Sequence, residues 1–374
     1  MIEPSFLGTH QLFLPGGVVV TFAGYVDDEE RSCKYSNEDG AMAMFTLNNA
    51  TGGLHGYMQY NRRDYVLEYC GDEGHVFIEY KLAEIFLDDE YRDDGWKNPP
   101  KLFPSADEPT LAKNEDSFEI VTFTVQIYFT TGFARTTKDV AGFIHSMIDS
   151  TNDAYESSQV PMRIKVHCTQ EVNIPDNISS KWALKYLERL KPTANEVRNS
   201  ADVAVLLVDS LKKYCGQAKS YAIDEDATDY GYAISVVKKS CIKGYTFSHE
   251  IGHNIGLYHD KRHRNLKYPY AQGSYIEKGK SWTGYRSIMA YARYGHYRRV
   301  PYFSNPNVIY PMTGTPTGII GEADNAKLLF NQRFKLANLG DESKSCGEGI
   351  IDIEVGVWAN LFLFLKIELT NFLI

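Results

Sequence analysis

Between His249 and His259 the chain reads His249-Glu250-Ile251-Gly252-His253-Asn254-Ile255-Gly256-Leu257-Tyr258-His259. No other stretch restricts the fold as much. Residues four apart on an α-helix share a face one turn apart, so His249 and His253 point the same way. Glu250 stands beside His249, toward the open side of that pair. Gly256 comes where the helix must stop, because glycine tolerates the left-handed conformation of a helix C-cap. The chain can then reverse and bring His259 in from another direction. The fold must therefore contain a helix ending at Gly256 and a return that closes on it.

Three neutral imidazoles suit a tetrahedral Zn2+ with one open position. His249, His253 and His259 are the expected ligands of one catalytic ion. Two histidines four apart also occur on ordinary surface helices. That bland arrangement needs neither Gly256 nor His259 at these offsets.

A second segment, Ser287-Ile288-Met289-Ala290-Tyr291, follows His259 by thirty residues. A lone methionine is usually core filler. Placed after the long motif, this one resembles the Met-turn of the metzincin metalloproteases, in which Met289 would form the floor beneath the histidines. Tyr291 stands where the astacin-like and serralysin-like branches carry a tyrosine whose hydroxyl helps stabilise the oxyanion. Asp260, directly after His259, resembles the reprolysin (adamalysin) branch, where the carboxylate is structural. The stretches 245–260, Tyr268-Pro269-Tyr270-Ala271 and Pro301–Pro306 are similar to reprolysin-like peptidases related to peptidyl-Asp metalloendopeptidases. This resemblance covers about 117–340 and is strongest over 232–306.

The resemblance implies an α/β (α+β) metzincin catalytic domain, with a mixed, mostly parallel twisted sheet and an irregular lower subdomain after Gly256. The residues agree: Phe118–Thr130, Met162–Val172, Val203–Val208 and Tyr232–Val237 read as strands, alternating with helices over Lys138–Ser157 and Lys181–Leu190. Ahead of them, 1–95 shows short alternating strands such as Val18–Tyr25, Ala41–Leu47, Gly56–Tyr60, Tyr65–Tyr69 and His75–Tyr80. It reads as a small β-rich domain, and by resemblance as a propeptide. Pro99, Pro100, Pro104 and Pro109 mark 96–116 as a linker. The protease domain is expected over 117–342. An atypical apolar tail follows over 343–374.

The formal net charge of −9 argues against a nucleic-acid partner. Protein or peptide substrates and a monomer are expected. Val355–Ile374 has the length of a membrane span, but Lys366 and Glu368 inside it count against one. Six cysteines favour disulfides and secretion, although Met1–Gly17 shows no basic, then apolar, export signal. Cys215 and Cys241 are the pairing we expect, with Cys33–Cys70 and other partners left open.

The implied activity is a zinc endopeptidase in which Glu250 takes the proton from water and passes it to the leaving amine. The alternative is a silent metzincin domain used for binding or adhesion. Loss of the base or of a ligand would signal that alternative, and all four residues are intact. Peptidyl-Asp relatives favour an acidic residue at P1′, which needs a cation in the S1′ wall. Arg286, Arg293, Arg298 and Arg299 are the candidates, each also readable as a surface arginine. Cys70, in Cys70-Gly71-Asp72, is a candidate zinc-blocking thiol of a zymogen, although its flanks do not match known switch motifs.

Overall fold

A computed structural model describes residues 11–14, 18–26, 31–60, 63–80, 119–190, 194–219, 233–242, 244–260, 267–276, 284–291, 297–341 and 346. The linker 96–116, the tail 347–374 and Arg293 lie outside the described residues. Among the described residues no helix is long and apolar enough to cross a membrane.

The N-terminal part is an antiparallel meander: β1 (Gln11–Leu14), β2 (Val18–Tyr25), β3 (Ser32–Ser36), β4 (Met42–Asn48), β5 (Gly53–Tyr60), β6 (Arg63–Tyr69) and β7 (His75–Tyr80), paired in that order. Period-2 alternation gives the sheet two lined faces. One carries Cys33, Tyr35, Phe45, Leu54, Met58 and Leu67, which form a core of their own. The other carries Met44 and Tyr57, which join the main core of the molecule.

The second part begins with β8 (Val121–Thr130), α1 (Thr131–Thr136), α2 (Val140–Ser157), β9 (Met162–Val172), β10 (Ile178–Ser179), α3 (Ser180–Glu188) and α4 (Ala194–Val197). It continues through β11 (Val203–Val208), β12 (Leu211–Lys212), β13 (Gly216–Ala218), β14 (Ile234–Lys238), α5 (Lys239–Ile242) and α6 (Thr246–Ile255). Short strands follow: β15 (Tyr275–Ile276), β16 (Gly284–Arg286), β17 (Tyr297–Arg299), β18 (Ile309–Tyr310) and β19 (Thr315–Pro316). Helix α7 (Asn325–Leu336) comes last. The molecule is thus mixed α/β with several sheets.

The central sheet runs β13-β14-β11-β8-β9, with β13 antiparallel to β14 and the other pairs parallel. Its strands are near-continuous apolar runs because both faces are covered. Alternate residues of β11 divide between the two faces. Val203, Val205 and Leu207 pack with the core that includes α2 and α6, and Ala204, Leu206 and Val208 with the core that includes α3.

The N-terminal sheet docks on α2 through three acids. Asp139 caps the helix by accepting from Gly142 N (2.9 Å) and also accepts from Asn48, Thr51 and His55 (2.8, 3.0 and 3.0 Å). Asp149 takes hydrogen bonds from Ser32 and Thr46, and Asp153 pairs with Lys34. A further ion pair joins Asp64 of β6 to Arg298 of β17. Two disulfides close loops in the second part, Cys215–Cys241 and Cys168–Cys346, and neither takes in Cys33 or Cys70.

Candidate metal centre

Helix α6 carries the first two histidines, and its ending explains how the third arrives. Gly256 adopts φ 106°, a left-handed conformation that a side chain would disfavour. Leu257 N donates to Gly252 O (2.9 Å) and Gly256 N to His253 O (3.0 Å), the two bonds of a Schellman motif. The returning chain is then pinned by Tyr258 N to Ala271 O (2.8 Å) and Gly273 N to His259 O (3.1 Å). Helix α6 is itself fastened to the sheet. Asn254 Nδ2 donates to Lys219 O and Ile234 O, at 2.9 and 3.0 Å.

The three Nε2 atoms converge. His249–His259, His249–His253 and His253–His259 are separated by 3.0, 3.1 and 2.9 Å. All three side chains are buried. His249 Nδ1 donates to Ile288 O (2.8 Å) and His253 Nδ1 to Leu257 O (2.9 Å). These bonds place the ring protons on Nδ1 and turn the Nε2 lone pairs toward one another. Lone pairs packed this way repel unless a cation sits among them. Burial, with neighbouring His253 and nearby arginines, pushes the His249 pKa well below the usual imidazole value, so the ring is neutral and able to ligate. A tetrahedral ion with bonds of roughly 2.0–2.1 Å would set ligand atoms roughly 3.3 Å apart, close to what is seen. The donor set therefore fits a metal ion. Among the described residues these three histidines are the one such cluster of donors.

Met289 is fully buried beneath α6, and its sulfur lies where a side chain at 252 would go. A Cβ on Gly252 would stand 2.6 Å from Sδ. Gly273 likewise lets the segment ahead of β15 pass against the backbone of Met289 and Ala290. Tyr291 packs its ring against His259, with centroids 3.8 Å apart. Asp260 is buried, with its Oδ2 3.1 Å from the Tyr275 hydroxyl, which also lies 2.9 Å from Tyr291 O. Tyr275 thus bridges the third histidine's neighbour to the end of the Met-turn. Glu250 is buried beside Gly216 of β13.

The three described arginines are not gathered at one place, and Arg293 lies outside the described residues. Arg286 is 1% exposed and donates to Ala290 O and Tyr297 O, bracing the Met-turn from behind. Arg299 Nη1 donates to Gly244 O (2.9 Å), just before α6. Arg298 meets Asp64 of the N-terminal sheet. The Cys70 thiol turns back toward Glu68 O (3.9 Å) on its own hairpin and is not one of the converging donors. Sequence reasoning missed Gly252, Gly273, Asn254, Tyr275 and Gly216. The glycine inside an otherwise regular helix was the one available signal.

The reprolysin model of metallo-peptidase family M12 matches residues 121–304. A curated peptidyl-Asp metalloendopeptidase of Stenotrophomonas maltophilia is 29% identical over 209 residues, 53% of this chain and 48% of the relative. A second, from another strain of that species, is 36% identical over 154 residues, 41% of this chain and 34% of the relative. Less than half the length of each relative is covered. Metalloproteinase-II from Bacteroides fragilis aligns over 66% of this chain and 79% of its own at 15% identity. Its TM-score of 0.39 is too low to bear on the fold. The matched span holds α6, the three histidines and Met289, and residues 121–304 are a reprolysin-like domain of metallo-peptidase family M12.

Proposed function

We propose that the chain is a zinc-dependent endopeptidase. The observation that carries this reading is the inward convergence of three Nε2 lone pairs, two of them on a helix that also carries the buried carboxylate of Glu250. His249, His253 and His259 would hold the ion. Zinc, when bound, supplies a Lewis acid for the scissile carbonyl and lowers the pKa of water. Glu250 is the general base that takes the proton from the attacking water, and then the acid that delivers it to the leaving amine. The Tyr291 hydroxyl is a second donor toward the developing oxyanion. β13 ends the central sheet, and its outer edge has no strand partner among the described residues, which supports an extended peptide added there as a further strand.

The relatives' name, peptidyl-Asp metalloendopeptidase, supports a preference for an acidic residue at P1′. Secretion is supported by two disulfides, which persist in oxidising compartments. The N-terminal sheet is proposed as a docked pro-segment, held through α2 and Arg298.

The test is cleavage of a random peptide library by the full chain, with and without a chelator. Metal-dependent cleavage enriched for Asp or Glu at P1′ is expected. Cleavage that survives chelation would sink the metal reading, and cleavage indifferent to P1′ would sink the preference. Glu250→Gln should keep its metal and lose about 10³-fold or more in turnover. A variant that keeps both metal and turnover would remove Glu250 from the mechanism.

A further inference from the structure

Glu250 shares its space with a residue outside the histidine motif. A Cβ built on Gly216 would lie 2.5 Å from Glu250 Oε1 and 2.9 Å from both Cδ and Cγ. Side-chain carbons do not approach that closely, so a methyl at 216 and the carboxylate compete for one volume. The glycine is not there for its backbone. Its φ is not among the positive values, and β13 is a strand that alanine could join. The missing methyl serves the carboxylate.

The strand has little freedom to retreat. Gly216, Gln217 and Ala218 pair with Val237, Val236 and Ser235 of β14. Ser180 Oγ donates to Gln217 Oε1 (2.7 Å). Cys215 is bonded to Cys241 in α5, the helix that leads into α6. Asn254 of α6 reaches Lys219 O, directly after β13. Two of these ties belong to α6 or its lead-in, so strand and helix move together.

We infer that Gly216 is a positioning residue for Glu250. The edge strand stands against the carboxylate and fixes its place beside the three histidines, and the Cys215–Cys241 bridge and Asn254 keep that spacing. The inference rests on reading Glu250 as the general base.

The test compares the full chain with Gly216→Ala, Glu250→Asp and the double variant. Three quantities are read: turnover of a quenched fluorogenic peptide containing one Asp, zinc content, and the melting temperature of the metal-free protein. Gly216→Ala should keep one zinc per chain and lose on the order of 10²-fold in kcat, because a displacement near 1 Å costs about that much. KM should stay within about twofold, since the loss falls on the chemical step and not on binding. Glu250→Asp draws the carboxylate back by one methylene. In that background Gly216→Ala should cost less than about twofold more in kcat and should no longer lower the melting temperature.

Equal losses in both backgrounds, a KM effect in place of a kcat effect, or wild-type turnover by Gly216→Ala would overturn the inference. If Gly216→Ala does not fold, the double variant must fold, and its failure would also overturn it. If the unaltered chain cleaves no peptide, the endopeptidase reading falls. The melting temperatures of the four proteins then still decide whether 216 and 250 compete for space.

Discussion

Gly252 lies between the two histidines of α6 and gives up helix stability to do so. Alanine at such a site normally gains about 1 kcal/mol over glycine. Here its methyl would meet Met289 Sδ, and the Met-turn would have to move. That turn also supplies Ile288 O, the acceptor that orients His249. Gly252→Ala is therefore expected to weaken zinc binding by about 10–100-fold, the range seen when partners of metal ligands are disturbed. Competition against a fluorescent chelator measures it, and unchanged affinity would show that the Met-turn does not set the ligand positions. The histidine spacing is legible in sequence because it is local: one helix, one glycine cap, one return. Gly252, Gly273, Asn254 and Tyr275 were not, because each is defined by a partner from a distant segment. Met289, Ala290, Lys219 and Asp260 are those partners.

Helix α2 is the element that joins the two parts. Its sequence announces a helix through Val140, Phe143, Ile144, Met147 and Ile148, and the apolar face packs as that spacing requires. The other face is less legible. The apolar spacing says nothing of Asp149 and Asp153, and both are buried against β3, β4 and β5. Strand β3 was missed for the matching reason. Ser32 and Lys34 look like surface residues until α2 supplies their partners.

Burial raises the Asp139 carboxyl, but hydrogen bonds from His55, Gly142 N and Asn48 outweigh it and hold the pKa below the ordinary value. Because the folded value is the lower one, this contribution is complete above the unfolded pKa of about 3.9 and is lost as pH falls through the folded pKa. Docking of the N-terminal sheet should therefore weaken in acid below about pH 4. Urea melts at pH 7 and pH 3 should differ less for Asp139→Asn than for the unaltered chain. Equal pH dependence would remove Asp139 from the contact. Asp139→Ala at pH 7 should cost about 2–4 kcal/mol, through the lost cap and the stranded sheet donors.

At the scale of the molecule one face of the N-terminal sheet joins the main core, while its other face keeps a core of its own. Val26, Met44 and Tyr57 of the N-terminal part lie in the same buried cluster as Phe143 of α2 and Ile251 of α6. Sequence does not show this sharing, since alternation along a strand shows that a face is covered but not by what. The disulfides divide similarly. Cys215–Cys241 spans 26 residues, whereas Cys168–Cys346 spans 178 and ties β9 to a point beyond α7. Losing either should cost about 2–5 kcal/mol, with the longer loop costing about 1–2 kcal/mol more. Paired Cys→Ser variants melted in urea give both values, and a long-loop variant as stable as the parent would show that the bridge constrains nothing.

The longer bridge also governs what a cut would look like. The chain from 168 to 346 is a covalent ring that holds the triad, the Met-turn and the edge strand. A nick at an exposed bend inside it releases no fragment, whether the blade belongs to another protease or to a second copy of this one. The severed molecule would migrate as one piece on a gel until a thiol is added, and only then separate into two.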